Sequence, residues 1–398
     1  MMLAIKNGQV FYNNKLVKTN IYCSGGKIQE LTSEDRQADQ SINASGLIVI
    51  PGAIDPHEHC RDLGQAYKED FLTASMAAAK GGITTILAMP NTEPPVVDSE
   101  SLEQERMAAK KSIVNYGLFV AGIDGNSEKI RNLTNIAGIK IYMNVTTGNL
   151  KVSDETELQK LFSASKRIAV HAEGHQVEKA ISLIKNTPNT LYLVHITSRK
   201  ELDMILLRKD KRIFCEVCPH HLYLIGHDRQ RLKGYAIMKP PLQSQEDAAA
   251  LWDAIRDGTV DTIGTDHAPH TREEKEQANP LFGVTGSETM LPLLLHAVNR
   301  QQLTFQKMVD LISTNPARIF GIQKKGMIKV GYDADLTLID MDEIKEVRNE
   351  DLLTKCKWSP FSGYVLKGWP VATIVNGNVV FERGKINKGF KGKEVRFS

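Results

Sequence analysis

The chain has 398 residues, enough to bury a large core as one big domain or as two. Its 41% hydrophobic and 24% charged residues are those of an ordinary soluble globular protein, and a net charge of +3 gives no reason to expect nucleic acid or a membrane surface as a partner. No signal-peptide core and no bilayer-length apolar run is present, and five dispersed cysteines indicate reduced thiols, so we expect a cytoplasmic protein.

Both ends of the chain show the pattern of short antiparallel strands. Residues 1–50 alternate apolar runs with turn signals such as Asn13-Asn14 and Gly25-Gly26. Residues 326–398 do the same, and their Asn376-Gly377 pair between two apolar runs is a strong hairpin signal. Because these segments enclose a middle of different character, we predict that the two termini pair into one small β domain.

The middle of the chain, residues 51–325, has the alternating pattern of a parallel α/β fold. Helix-like patterns occupy most of the gaps between its apolar runs, and eight strands within about 220 residues fit a (β/α)₈ barrel better than an open sheet. The absence of a Gly-rich phosphate loop after the first strand argues against a nucleotide-binding fold. The predicted strands are Leu47–Ile50, Ile83–Met89, Tyr116–Val120, Gly138–Met143, Ile168–Val170, Leu191–Ile196, Ile213–Val217 and Val260–Gly264.

A His-x-His pair follows the first of these strands. In extended backbone, residues two apart point to the same side, so His57 and His59 could bind one metal ion. Asp55 could orient one imidazole, and Arg61 would add a cation beside the metal. On its own the pair is more typical of ordinary surface or core histidines than of a metal site.

Further polar residues stand where later strands end, and in a barrel those carboxyl ends form one face. Four histidines, one carboxylate and one lysine on that face suit two borderline metals such as zinc. The lysine could serve as a carbamate, which is a bidentate oxygen ligand, or could simply be a strand lysine paired with a carboxylate. The expected group is His57, His59, Lys140, His171, His195 and Asp266.

With these residues the chain resembles the amidohydrolase superfamily and, within it, the dihydroorotases, including the dihydroorotase domain of the animal multifunctional pyrimidine protein. The likeness runs from about Pro51 to Phe320, and the flanking β segments fit the superfamily's appended sandwich. The resemblance therefore implies an α/β fold, a (β/α)₈ TIM barrel with a small β-sandwich domain built from both termini. The motifs typical of the family are Ala-Met-Pro-Asn-Thr at 88–92, Cys-Glu-Val-Cys-Pro-His-His-Leu at 215–222, Gly-Thr-Asp-His-Ala-Pro-His at 264–270 with Lys275, and Glu-Thr-Met-Leu-Pro-Leu-Leu at 288–294.

The resemblance also implies a role for each matching residue. One zinc ion would be held by His57, His59 and Asp266, a second by His171 and His195, and carboxylated Lys140 would bridge the two. Asp266 would be the general acid and base, and Thr146 would lie in a flexible loop that closes over the site. The residues that would bind the substrate are His59, Arg61, Asn91, Lys239, His270 and the backbone of Phe282 and Gly283.

The implied reaction is the reversible cyclisation of N-carbamoyl-L-aspartate to L-dihydroorotate and water in pyrimidine biosynthesis, by a hydroxide bound to two zinc ions. The partner would be this small-molecule substrate, with a homo-oligomer and an association with aspartate transcarbamoylase as candidates. Two alternatives stay open: a related cyclic amidase (an allantoinase or hydantoinase), and an inactive relative that acts as a scaffold.

The sequence departs from the family pattern at several positions. Glu58 and Cys60 stand where apolar residues are usual, and residues 61–64 read Arg-Asp-Leu-Gly in place of the common Arg-Glu-Pro-Gly. We interpret these changes as altered packing behind the site. Glu216 matches a ligand for an additional metal in some relatives, but the cysteine expected beside His195 is Val194, so we expect no third metal.

Overall fold

The structure is a computed structural model that describes residues 1–146, 148–207 and 210–398. In the N-terminal segment, four strands form one sheet in the order β5-β4-β1-β6, and the other three join strands from the C-terminal part of the chain. These strands are β1 (Met2–Lys6), β2 (Gln9–Tyr12), β3 (Lys15–Lys18), β4 (Asn20–Ser24), β5 (Lys27–Thr32), β6 (Gln40–Asn43) and β7 (Ile48–Pro51).

The following strands form the barrel. Within the described part of the chain, eight strands pair in parallel and in sequence order. A parallel bridge between Glu58 and His267 joins the two edges of this sheet, with the His59 N–H donating to the His267 carbonyl over 2.8 Å. The predicted (β/α)₈ barrel is confirmed. Its strands are β8 (Ala53–Glu58), β9 (Ile83–Ala88), β10 (Asn115–Gly122), β11 (Gly138–Tyr142), β12 (Arg167–His171), β13 (Thr190–Leu193), β14 (Ile213–Val217) and β15 (Thr262–Ile263).

Helices connect the barrel strands, and many of these helices have a residue with a short polar side chain at the N-cap. Asp70 caps α1: its carboxylate accepts from the Thr73 N–H (2.9 Å), and the Thr73 hydroxyl accepts from the Asp70 N–H (3.2 Å). A π-helical turn, Asp310–Thr314, joins the last two helices. The helices are α1 (Phe71–Lys80), α2 (Ser99–Ala109), α3 (Ser127–Arg131), α4 (Glu155–Leu161), α5 (His175–Ile184), α6 (Arg199–Leu206), α7 (Pro219–Tyr223), α8 (Arg229–Leu232), α9 (Gln245–Asp257), α10 (Arg272–Glu276), α11 (Met290–Asn299), α12 (Phe305–Val309) and α13 (Asn315–Ile319).

The C-terminal strands are β16 (Leu336–Glu346), β17 (Val365–Val375), β18 (Asn378–Glu382) and β19 (Lys385–Ile386). They form a second sheet of the order β19-β18-β17-β16-β7-β2-β3, so strands from both ends of the chain share one sheet as predicted. The Asn376-Gly377 hairpin between β17 and β18 is also confirmed, with both residues at positive φ. The domain limits 1–50, 51–325 and 326–398 stay a prediction.

The predicted first barrel strand is wrong. Residues Ile48–Pro51 (β7) pair with β16 and β2 in the sandwich sheet, and the barrel begins with Ala53–Glu58 (β8). Both strands are buried apolar runs, so the hydrophobic pattern could not distinguish them. The chain passes from the sandwich sheet to the barrel sheet at Gly52. A Cβ atom at Gly52 would lie only 2.2 Å from the Thr84 hydroxyl. As a result His57 lies on the strand itself and His59 just beyond it.

The N-terminal end of the barrel is closed by apolar side chains. Ile54, Phe119 and Phe320 pack there in one cluster with Val395 and Phe397 from the C-terminal tail. The carboxyl ends of the strands are therefore the end at which polar side chains can meet a cavity. Among the described residues, no helix has the length and apolar character needed to cross a membrane. All five cysteines are free, as expected.

Candidate active site

A small cavity opens at the carboxyl ends of the barrel strands. Every predicted site residue except His270 contributes to its wall. Tyr142 and Ala268, whose roles the sequence pattern did not indicate, also line it. The predicted residues that line the cavity are His57, His59, Arg61, Asn91, Lys140, Thr146, His171, His195, Lys239, Asp266, Phe282 and Gly283.

Two imidazoles and a carboxylate converge on one point. Glu216 Oε1 lies 2.8 Å from His57 Nδ1, and Asn91 Oδ1 lies 2.5 Å from His59 Nδ1, so both rings carry their proton on Nδ1. The lone pairs on Nε2 then face Asp266 Oδ1 at 3.2 Å from His57 and 3.0 Å from His59. Three acceptors at this distance repel one another unless a cation lies between them. The ligand atoms lie within 4.8 Å of one another and suit zinc.

A second pair of histidines lies beside the first. The Glu173 carboxylate lies 3.1 Å from His171 Nε2, which leaves Nδ1 of that ring facing His195 Nε2 at 2.9 Å. Burial lowers the pKa of both His171 and His195, and it lowers that of His59 to about 4. The neutral imidazole, which is the form that binds metals, is therefore favoured at this end of the barrel.

Lys140 lies in the same cavity, fully buried, and its Nζ has no hydrogen-bond partner among the described residues. The centre of the Tyr142 ring lies 5.5 Å from this Nζ. Burial lowers the pKa of Lys140 to about 8, although Glu216 and Asp266 oppose the shift. The neutral amine, which is the form that reacts with carbon dioxide, is therefore accessible near neutral pH. The alternative of a strand lysine held in a close carboxylate pair does not match these contacts.

Glu216 takes the orienting role that the sequence analysis assigned to Asp55. Its Oε1 atom accepts from His57 Nδ1 and from the His195 N–H (3.1 Å), and its Oε2 atom accepts from the Tyr192 hydroxyl (2.8 Å). A Cβ on Gly264 would lie 2.3 Å from Oε2, so the close approach of strand β15 requires glycine there. Glu216 thus fixes the ring of one histidine and the backbone of another.

Asp55 instead binds backbone and hydroxyl groups. Its carboxylate accepts from the His57 N–H (3.2 Å), the Thr265 N–H (3.0 Å) and the Thr265 hydroxyl (2.5 Å). These bonds join the first and last barrel strands directly below His57 and Asp266. The interpretation of Asp55 as a partner of an imidazole is therefore wrong, because its carboxylate reaches the main chain of His57 and not its ring.

The backbone at the site is strained. His195 and Asp266 adopt the left-handed conformation, with φ of 43° and 45°, and Arg61 has φ of 60°. Each residue held in this conformation costs about 1–3 kcal/mol of conformational free energy, so the conformation persists only where the surrounding contacts enforce it. The Glu216 bond to the His195 N–H and the Asp55 bonds to Thr265 are the contacts that hold these turns and aim the side chains inward.

Arg61 and Asn91 form another part of the cavity wall. Arg61 is 2% exposed; its Nε donates to the Pro269 carbonyl (3.1 Å), and Nη2 lies 3.1 Å from His270 Nε2. Among the described residues it forms no ion pair. Asn91 uses its oxygen on His59, and no described residue accepts from its NH₂ group. This wall therefore presents unused N–H donors and a positive charge to the cavity.

His270 lies behind Arg61 rather than in the wall of the cavity. Its Nε2–H donates to the Phe282 carbonyl (2.9 Å), and Lys68 Nζ lies 3.2 Å from its Nδ1. Burial lowers the pKa of His270 strongly, and Arg61 and Lys68 lower it further. It is a neutral ring that supports the loop and Arg61. Lys239 faces the cavity with its Nζ 5.6 Å from the centre of the Phe282 ring.

The unusual Glu58 is fully buried, and neither of its carboxylate oxygens has a partner among the described residues. Burial, with Asp55 nearby, raises its pKa well above the ordinary value, so it is a neutral acid behind the site.

A second buried group, Cys218, His220 and His221, also brings three ligand atoms within 4.8 Å. The Cys218 thiol approaches Glu216 (3.8 Å), and His221 Nε2 donates to the Pro240 carbonyl (3.0 Å).

The barrel with its appended sandwich, and a histidine, lysine and aspartate cluster that could hold a metal ion, are the features of a hydrolase. The sequence agrees, since the model of the amidohydrolase family matches residues 48–380. The chain belongs to the amidohydrolase family and is a hydrolase whose relatives act on cyclic amides.

Relatives with the name dihydroorotase match nearly the whole chain. The dihydroorotase of Methanosarcina acetivorans is 34% identical over 435 aligned positions, which cover 96% of this chain and 92% of that protein. The dihydroorotase of Pyrococcus furiosus is 33% identical over 415 positions, which cover 99% and 96%. The resemblance to dihydroorotases is therefore confirmed over nearly the full chain.

Solved structures with the same fold include hydantoinases. The L-hydantoinase (dihydropyrimidinase) from Arthrobacter aurescens superposes with a TM-score of 0.93 at 28% identity and 99% coverage of both chains. The D-hydantoinase (dihydropyrimidinase) from a Thermus species gives 0.90 at 25% identity, again with 99% of both. These structures support the fold and keep the hydantoinase alternative in view.

Proposed function

We propose that the protein is a dihydroorotase, which reversibly cyclises N-carbamoyl-L-aspartate to L-dihydroorotate and water in pyrimidine synthesis. The relatives named dihydroorotase support this activity. The single observation that favours it over hydantoin hydrolysis is the buried Arg61. A carboxylate is the chemical group that distinguishes dihydroorotate from a simple hydantoin or dihydropyrimidine.

Arg61 carries a buried positive charge. A buried guanidinium is costly unless an anion accepts its N–H groups, and among the described residues no carboxylate does so. A substrate carboxylate would form the two parallel hydrogen bonds that arginine favours, and the NH₂ of Asn91 would add a third donor. A neutral ring would leave this charge without compensation.

The metal site would use the residues named from the sequence. His57, His59 and Asp266 would hold one zinc ion, His171 and His195 a second, and Lys140, carboxylated, would bridge them. When bound, zinc lowers the pKa of coordinated water and polarises the amide carbonyl. The convergence of unprotonated donors on one point, and the unpartnered Lys140 amine, support this assignment.

Asp266 would move the proton. Burial acts to raise its pKa, but positive charge between this carboxylate and the His57 and His59 rings, as a proton on an imidazole or as a bound cation, holds the pKa of the carboxyl well below its usual range. An ionised Asp266 can accept the proton of the attacking water during ring opening and return it to the departing ring nitrogen. In the direction of cyclisation the same residue must start protonated.

This assignment gives different pH dependences for the rates of hydrolysis and cyclisation. Hydrolysis requires ionised Asp266 and should hold its rate as pH rises, whereas cyclisation requires the protonated form and should gain rate as pH falls. Initial rates in both directions, measured on one zinc-loaded sample, test this. Profiles that run in parallel would contradict the role of Asp266.

The decisive experiment is turnover of L-dihydroorotate, allantoin and hydantoin by the purified protein, with zinc content measured on the same sample. We expect ring opening of L-dihydroorotate with about two zinc ions per chain. Turnover of hydantoin or allantoin instead would establish the related cyclic amidase. Neither zinc nor turnover after zinc reconstitution would indicate the scaffold. Oligomeric state and association with aspartate transcarbamoylase stay predictions.

A further inference from the structure

Lys275, on α10, is a buried lysine that no step of the reaction uses. It is 1% exposed, and its Nζ donates to the carbonyls of Ile237 (2.8 Å), Leu281 (2.7 Å) and Gly283 (2.8 Å). An ammonium group has three N–H donors, so these bonds use all of them. Among the described residues it forms no ion pair, and the centre of the Trp358 ring lies 5.6 Å from Nζ.

The three carbonyls belong to two segments that line the cavity. Leu281 and Gly283 flank Phe282 in one loop, and Ile237 lies two residues before Lys239 in the other. The Gly283 N–H also donates to the Ile237 carbonyl (3.0 Å). The Lys275 ammonium therefore fastens both segments from behind at the point where they already touch.

The neighbouring contacts leave little room for the loop to move. The Ala268 N–H donates to the Val284 carbonyl (2.7 Å), and a Cβ on Gly283 would lie 2.4 Å from the Ala268 carbonyl oxygen. A Cβ on Gly234 would lie 1.7 Å from the Lys275 carbonyl oxygen. The loop that contains Phe282 and Gly283 therefore packs with its backbone in close contact with its neighbours, around the Lys275 ammonium group.

We propose that Lys275 is a positioning residue that fixes the wall formed by Phe282, Gly283 and Lys239 against the bound substrate. The identity of that substrate rests on the proposed function. Lys275 touches neither the cavity nor the candidate metal ligands, so its loss should loosen substrate binding while metal binding and proton transfer persist. A residue with a purely structural role would lower stability without a selective effect on KM.

The test compares Lys275→Met with Lys325→Met. Lys325 is a matched control because it is also a buried lysine, but it pairs with Asp333 and Asp335 far from the cavity. For Lys275→Met we expect KM for L-dihydroorotate to rise by about tenfold, with kcat and zinc content close to those of the unmodified protein. For Lys325→Met we expect lower stability and an unchanged KM.

Hydrogen exchange supplies a readout that needs no substrate. The amides of Gly283 and Ala268 should exchange faster in Lys275→Met and at the original rate in Lys325→Met, both measured on folded protein. If Lys275→Met does not fold, Lys275→Gln, which keeps two donors, should show an intermediate rise in KM and in exchange.

The outcomes separate the two proposals. An unchanged KM with unchanged exchange in a folded Lys275 variant would overturn the positioning role, as would a fall in kcat and zinc content with KM unaltered. If the unmodified protein does not turn over L-dihydroorotate, the proposed function fails, and the exchange of Gly283 and Ala268 alone decides the role of Lys275.

Discussion

Glu216 allows a quantitative test of how the metal site is supported. Its buried carboxylate accepts from His57 Nδ1, the His195 N–H and the Tyr192 hydroxyl. In Glu216→Gln the amide keeps these contacts only if its oxygen turns toward the two histidines and its NH₂ toward Tyr192. The Tyr192 hydroxyl can accept this bond, because it can donate to Thr262 Oγ1 at 2.6 Å.

The expected magnitudes follow from these contacts. Loss of an outer partner of a metal-binding histidine weakens metal binding by about 10–100-fold. Because glutamine keeps the hydrogen bonds and loses only the charge, we expect the lower limit, about tenfold or 1.4 kcal/mol. In Glu216→Ala all three donors lose their acceptor at about 1–3 kcal/mol each, so we expect at least about 3 kcal/mol less stability and a larger loss of zinc affinity.

The assay is zinc affinity by competition with a chelator, together with urea unfolding of the metal-free proteins. The order of zinc affinity should be Glu, then Gln, then Ala, with Gln close to the original stability. Equal zinc affinity for the original protein and Glu216→Gln would refute the orienting role. Equal losses in the Gln and Ala variants would show that the amide does not turn as described.

Three further changes test individual residues. Asp266→Asn should keep its zinc and lose at least about 100-fold in turnover, as measured by steady-state rates and metal analysis; near-normal rates would remove the proton-transfer role. Tyr142→Phe removes a buried hydroxyl without a partner among the described residues, so the free energy of unfolding should change little. Turnover in Tyr142→Phe should fall about tenfold if the hydroxyl donates to substrate, and an unchanged kcat/KM would exclude that contact. The carboxylated fraction of Lys140, measured by native mass spectrometry in the presence of bicarbonate and zinc, should increase as pH rises through about 8. The reason is that the fraction of neutral amine increases over this range. A carboxylated fraction that does not depend on pH would contradict the lowered pKa.

Much of the fold was accessible from the sequence because its signals are local. Alternating strands and helices identified the barrel, and the Asn376-Gly377 turn identified a sandwich hairpin. The first barrel strand was misplaced because β7 and β8 are consecutive buried runs separated only by Gly52. Which sheet each run joins depends on pairing with β16, a partner nearly 290 residues away in the chain.

The convergence of the candidate metal-site residues could be predicted because these residues stand at strand ends, which the barrel brings together. The supporting contacts could not, because they depend on side-chain geometry between distant strands. Glu216 reaches His57 across the barrel, 159 positions away, and Asp55 reaches Thr265 across 210. Tyr142 was within reach of the sequence, since it lies two residues after Lys140 and so points to the same side of β11.

The charges around the cavity connect substrate choice to the rest of the site. The substrate side holds three buried cations, Arg61, Lys68 and Lys275, and the acid close to them, Glu274, pairs with Lys68 at 2.9 Å. The Lys275 ammonium donates its hydrogen bonds to loop carbonyls. Burial, together with Arg61, Lys68 and Lys275, lowers the pKa of His270 and so favours its neutral form. Among the described residues, Arg61 is therefore the fully buried charge that a ligand in the cavity could pair with, and the less buried Lys239 also faces the cavity. Burying the Arg61 charge is costly without a counter-ion, which is the physical reason why we propose an anionic substrate.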